Sequence, residues 1–383
     1  MNLSNPPKTS DAVASHVRTH PLPGQVVLVL QGGGALGAYQ MGVFRALHES
    51  GIEPDWVIGT SIGAINASLI AGNKHEDRLD RMEEFWSRVG HTPAKDLLAA
   101  SPFGGMAVAN LMTLATGVES FFAPNPMALL GPYAPLGPEK AGFYSVAPLR
   151  ELLSELVDFD HLNTGPTRLT VGAANVQTAQ MRYFDSRDED LDLRHVLASG
   201  ALPPAFPAVR IGEELYWDGG VLSNTPVEAV FDDSPRKNSV IFMVNLWSPD
   251  GAEPDTLWQV MTRQKDIQYS SRAMNQIERQ RQLHYLRHII KELAMKLPED
   301  ERGKDAVKEL EAQGCLTHMH LVRLLAPNLG GQDNMKDIDF SAAGILRRSA
   351  AGYEDTVRVL TRKPWEDPFD PLEGFILHDS VLA

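Results

Sequence analysis

Two short glycine-bearing stretches carry residue types that can do chemistry. Gly59-Thr60-Ser61-Ile62-Gly63 sets a serine between glycines, after the apolar run Trp56–Ile58 and before the helix-forming Ile62–Ala71. A serine on a sharp strand-to-helix turn can serve as a nucleophile. A serine in the same place can also simply cap the helix. The second stretch, Gly32-Gly33-Gly34, follows the β-branched run Val26–Leu30 and leads into an amphipathic segment over Ala38–Ser50. Consecutive glycines at a helix N-terminus present N–H groups unobstructed by side chains, and the helix dipole adds positive potential. Such a loop can hold a phosphate, or the oxyanion that forms when a nucleophile attacks an ester carbonyl.

The elements that must position these loops read as strand, helix, strand, helix. Val26–Leu30 has no polar alternation, as expected of a strand buried on both faces of a parallel sheet. Gly51 stops the first helix and Gly72 the second, so residues 25–72 predict a right-handed β-α-β unit and an α/β fold. In a parallel sheet the carboxyl ends of neighbouring strands lie side by side, which places Gly32–Gly34 near Ser61. Gly32, Gly34 and Gly37 also satisfy G-x-G-x-x-G, the dinucleotide-binding pattern. That use needs an acidic residue at the end of the second strand. Glu53 and Asp55 instead precede that strand, and Thr60-Ser61 stand at its end.

A nucleophilic serine needs a base, usually a histidine oriented by a carboxylate. His284, His288, His318 and His320 lie downstream, but none falls in a strand-end turn, and His318 and His320 alternate along a probable strand where a structural role is expected. A Ser-His-Asp α/β-hydrolase remains one alternative. A non-catalytic lipid-binding or regulatory protein that retains the fold is another.

Four motifs in order, GGGALG (32–37), GTSIG (59–63), ASGALPPAFP (198–207) and DGG (218–220), resemble the patatin-like phospholipase family across residues 25–250. The resemblance implies a three-layer fold with a mainly parallel central sheet flanked by helices, followed by a mostly helical C-terminal extension. It further implies a Ser-Asp dyad with Ser61 as nucleophile and Asp218 as base, and an oxyanion hole from Gly32, Gly33 and Gly34. Gly37, Gly59, Gly63, Gly219 and Gly220 support these motifs. The residues agree: Asp218 follows the short strand Glu214–Trp217, so its carboxylate projects from a strand end as Ser61 does. Partial desolvation would raise its basicity above that of an ordinary carboxylate. Asn224 and Pro226 are placed to fix the loop that follows.

One position departs from the pattern. Many family members carry Lys or Arg before the last glycine of the loop, whereas this chain has Leu36. The expected substrate is therefore a lipid acyl ester that is neutral or weakly polar, or a lysophospholipid, rather than strictly a diacyl phospholipid. Hydrolysis through an acyl-enzyme requires no metal and no organic cofactor.

Composition bounds the remainder. The chain has 383 residues, 43% hydrophobic and 22% charged, with a formal charge of −14. That balance is globular, and it argues against nucleic acid as a partner. A single cysteine, Cys315, excludes an internal disulfide framework. No stretch approaches about 18 apolar residues, and the N-terminus lacks a secretory apolar core, so a cytoplasmic protein, peripheral at a membrane, is expected. Residues 1–24 read as a polar arm, 25–250 as the catalytic domain and 251–383 as the extension. Within 97–142 the expectation is an apolar cap-like insertion, because Glu119 is the single charge between Leu97 and Pro138. That segment would line an acyl channel or touch a lipid surface. The stretch 255–296 reads as a long Gln- and Arg-rich helix suited to solvent or to a homo-oligomer contact, and Ser341–Thr361 as the last helix.

Overall fold

The computed structural model describes residues 22–92, 95, 105–329 and 335–379. Almost all of the expected N-terminal arm, and residues 97–104 of the expected insertion, lie outside them.

The expected mainly parallel sheet is present and has nine strands. Its path runs β11 (Phe375–Asp379), β10 (Met319–Leu325), β9 (Ser239–Asn245), β1 (Gln25–Leu30), β2 (Trp56–Gly59), β5 (Arg168–Asn175), β8 (Glu214–Asp218), β7 (Val209–Ile211), with β6 (Met181–Asp185) also on β5. Every pairing from β11 to β5 is parallel, and those made by β6, β7 and β8 are antiparallel. Two further short strands, β3 (Ala123–Pro124) and β4 (Tyr144–Ser145), pair apart from this sheet.

Strand alternation distributes the apolar run of β1 to both faces. Val27 and Val29 join Ile58, Ile241 and Met243 on one side, while Leu28 and Leu30 join Val57, Phe242 and Val244 on the other. Val27 to Leu30 are each 0% exposed, and full burial of such a side chain is worth about 1.5–3 kcal/mol. The two expected helices, α1 (Ala38–Glu49) and α2 (Ile62–Ala71), cover the face that holds Leu28 and Leu30. A short 3-10 turn, Gly34–Gly37, precedes α1.

The register around β5 brings the two halves of the site together. β2 pairs with β5 from Arg168 to Val171, and β6 occupies the opposite edge from Thr170 to Ala174. β8 pairs with Ala173 to Asn175, so it must lie on the β2 edge, end to end with β2. Gly59 stands opposite Val171 and Asp218 opposite Ala173.

Residues after 250 add β10 and β11 to the same sheet, and the helix Ala342–Arg362 packs along α1, where Tyr39 Oη donates to Asp355 Oδ2 at 2.7 Å. The long basic stretch is one helix, Leu257–Lys296, opened by a capping box between Thr256 and Gln259. Ser341–Thr361 does not close the fold, because β11 follows it. No helix among the described residues is long and apolar enough to cross a membrane.

Candidate active site

Ser61 occupies the turn between β2 and α2 with φ 57° and ψ −127°. A non-glycine residue there is strained by on the order of 1–3 kcal/mol and needs surrounding structure to hold it. That structure is visible. The Ser61 N–H donates to Ser199, whose carbonyl and Oγ both stand at 3.1 Å, and Ser199 Oγ in turn donates to Gly172 O at 2.6 Å. A Cβ at Gly63 would lie 2.2 Å from Leu30 O, so a side chain there would push α2 off the sheet and release the turn. Gly59 packs on Gly63, Gly37 on Ile62 and Gly219 on Gly172.

Asp218 is 2% exposed, and its carboxylate accepts the Gly220 N–H at 2.7 Å and has the Ser61 side chain as a polar neighbour. Burial pushes its pKa up to about 7, against the opposing pull of the Ser61 side chain and the Gly220 N–H. The group thus stands near the pKa at which a carboxylate works as a general base in neutral solution.

The glycine loop is fixed from behind. Gly32 O accepts from Trp247 Nε1 at 2.8 Å and from Asn224 Nδ2 at 3.0 Å, while the Gly32 N–H donates to Asn224 O at 3.1 Å. Gln31 braces the same loop: its Nε2 donates to Thr225 Oγ1 and Tyr269 O, and its Oε1 accepts from the Leu246 and Trp247 N–H groups. Among the described residues the N–H groups of Gly33 and Gly34 have no protein acceptor. They stand at the entry to the 3-10 turn that feeds α1, where the backbone carries positive partial charge.

Gly32, Gly33, Gly34, Ser61 and Asp218 line one cavity of about 170 Å³. Its walls are apolar, with Leu114, Phe121 and Phe122 from the insertion, Leu149, Val196 and Phe206 from the surrounding helices and loops, and Ile338 and Phe340 from beyond β10. Among the described residues Asp218 and Asp337 are its carboxylates, and no lysine, arginine or histidine lines it. His195, buried nearby in sequence to Ser199, instead caps its own helix with Asp192. Leu36 is buried and faces a larger cavity of about 310 Å³, which contains neither Ser61 nor Asp218. Three cations of that larger cavity are already engaged: Lys336 with Asp266, Arg348 with Asp339, and Arg263 with the Pro249 carbonyl.

Sequence reasoning located the two loops and Asp218 but missed Gln31, Trp247, Tyr269 and Asp337 as site residues. Gln31 and Trp247 adjoin strand ends, a signal that could have marked them. Tyr269 and Asp337 arrive from the C-terminal region with no local motif.

Parts of the chain are similar to known proteins. Residues 28–231 match the model for "Patatin-like phospholipase", and residues 267–372 match one described as "Patatin phospholipase". Short stretches are similar to lysophospholipase nte1 of Aspergillus terreus (59% identity over 46 residues, 12% of this chain and 3% of that protein) and to human patatin-like phospholipase domain-containing protein 6 (40% over 63 residues, 16% and 5%). Another stretch is similar to triacylglycerol lipase ptl3 of Schizosaccharomyces pombe (37% over 62 residues, 16% and 13%). The chain therefore matches only a small part of each relative's length. Among solved structures, VipD from Legionella pneumophila aligns with a TM-score of 0.38 at 16% identity, covering 89% of this chain and 67% of that one. The type III effector ExoU aligns with a TM-score of 0.33 at 16% identity, covering 90% and 54%. Since the first family match takes in more than half of the chain, from β1 to the segment after Asn224, the chain belongs to the patatin-like phospholipase family.

Proposed function

We propose that the protein is a serine acyl hydrolase acting on lipid esters. Asp218 removes the proton of Ser61, and Ser61 Oγ attacks the ester carbonyl. The Gly33 and Gly34 N–H groups hold the oxyanion, with Gly32 positioned behind them by Asn224. Collapse expels the alcohol, which takes the proton from Asp218, and leaves an acyl-enzyme on Ser61. Water activated by Asp218 then releases the fatty acid. The observation that carries this reading is the meeting of Ser61 and the buried Asp218 in one cavity, beside two N–H groups that have no protein acceptor among the described residues.

The apolar walls suit an acyl chain, and the absence of lysine and arginine among the described lining residues favours a neutral or weakly polar alcohol portion over a phosphate held in the site. Leu111, Leu129, Leu130 and Tyr133 of the insertion are 64%, 89%, 65% and 97% exposed, and Leu114 of the same segment lines the cavity, which supports a mouth that takes its substrate from a lipid surface. A chain-length series of p-nitrophenyl esters, monoacylglycerols, lysophospholipids and diacyl phospholipids tests the reading. Turnover by wild type that disappears in Ser61→Ala and Asp218→Asn is expected, with neutral esters preferred. Equal turnover by Ser61→Ala would sink it.

A further inference from the structure

Three side chains far along the long helix from the cavity make a second cluster. His284 and His288 lie one turn apart on Leu257–Lys296, and Cys315 follows the segment that returns beneath them. One donor atom from each falls within 4.8 Å of the others. The helix rises about 1.5 Å per residue, so His284 sits more than ~20 Å along it from Tyr269.

The hydrogen-bonding pattern of His288 is not satisfied by a neutral ring. The residue is 0% exposed, its Nδ1 lies 3.2 Å from Pro371 O, and its Nε2 lies 3.0 Å from Thr317 O. A neutral imidazole carries one N–H, so only one of these contacts can be a hydrogen bond. The other sets a nitrogen lone pair against a carbonyl lone pair. His284 Nε2 converges on the same carbonyl at 2.8 Å, and Cys315 Sγ lies 3.9 Å from that nitrogen. A Cβ at Gly374 would stand 2.1 Å from His288 Nε2, so the glycine keeps the space beside that nitrogen free of a side chain.

We propose that His284, His288 and Cys315 bind a structural divalent zinc ion, with the Thr317 carbonyl or a water completing the coordination. Nδ1–H of His288 then donates to Pro371 O, the arrangement by which a carbonyl behind a metal-bound histidine fixes its tautomer. Two imidazoles and a thiolate are a borderline-soft set that suits zinc over calcium or magnesium. The ion would tie the long helix to the start of β10 and to the turn before β11.

The test uses the full chain, stripped with a chelator and titrated with Zn²⁺ by calorimetry and with Co²⁺ by absorption spectroscopy. One ion per chain, a thiolate-to-Co²⁺ charge-transfer band and a higher melting temperature with Zn²⁺ are expected. Cys315→Ser should lose the band, and Cys315→Ser and His288→Gln should each bind at least ~10-fold more weakly. Fluorophosphonate labelling of Ser61 reports whether each variant is folded. Absence of stoichiometric binding to wild type overturns the proposal, as does binding that survives unchanged in Cys315→Ser. Nitrogen-15 shifts showing a doubly protonated His288 that Zn²⁺ does not displace would also overturn it.

Discussion

Ser61 and Asp218 meet because β2 and β8 run end to end along one edge of β5, with Gly59 opposite Val171 and Asp218 opposite Ala173. The Ser61 side chain and the Asp218 carboxylate thereby become neighbours in one cavity, and no histidine among the described residues lines it. The pairing register thus sets the geometry of the proposed dyad, and four consequences can be measured.

The first concerns pH. Asp218 must be ionised to accept the Ser61 proton, and its pKa is raised to about 7 by burial. Acylation rate should therefore rise through a single ionisation near neutrality and stay level above it, with no second limb. Presteady-state release of p-nitrophenol between pH 5 and 9 checks this, and a midpoint near 4 would show Asp218 to be an ordinary solvated carboxylate.

The same burial has a stability consequence. A carboxyl whose folded pKa lies above its unfolded one favours the native state fully below the unfolded pKa of about 4. That contribution is lost as pH rises toward 7. Asp218→Asn keeps an oxygen for the Gly220 N–H but carries no charge to bury. It should be more stable than wild type above pH 7, by on the order of a few kcal/mol, while nearly inactive. Urea unfolding of both proteins at pH 5 and pH 8 should find the gap larger at pH 8.

Asn224 tests the support behind the glycine loop. Asn224→Ala removes the 3.0 Å donor to Gly32 O and leaves Trp247 as the remaining side-chain support of that carbonyl. If the loop stabilises the oxyanion, kcat should fall ~10- to 100-fold with KM little changed, since the loss is felt mainly in the transition state. A rise in KM at constant kcat would assign Asn224 to substrate binding.

Acyl-chain length is set by the cavity walls. Leu202 lines the cavity and is partly exposed, so Leu202→Trp adds bulk there without filling the tightly packed core. Turnover of acetyl and butyryl esters should persist while that of long-chain esters drops by at least ~10-fold. Uniform loss across the series would place the acyl chain elsewhere.

Much of this site is legible before folding because its main parts are short and local. GTSIG and GGGALG each combine a strand end, a tight turn and a helix start within a few residues, so type and spacing reveal them. What supports them is not local. Asn224 reaches Gly32 across the fold, and Tyr269 and Asp337 enter the cavity from residues that read only as helix and loop. β11 was missed because Phe375–Asp379 is five residues long and follows a segment rich in proline and acidic residues; it becomes a strand by pairing with β10. The side-by-side placement of Ser61 and Asp218 rests on the register on β5, which no pattern within β8 encodes.

The identity and activation of the nucleophile are the central claim. Intact-mass and peptide analysis after fluorophosphonate treatment reads both at once. The account predicts one adduct per chain on the peptide that contains Ser61, no adduct in Ser61→Ala, and labelling of Asp218→Asn slowed ~100-fold or more. Labelling should be unchanged in His195→Gln and in substitutions of His284, His288, His318 and His320. An adduct that persists in Ser61→Ala, or labelling that depends on one of these histidines, would contradict it.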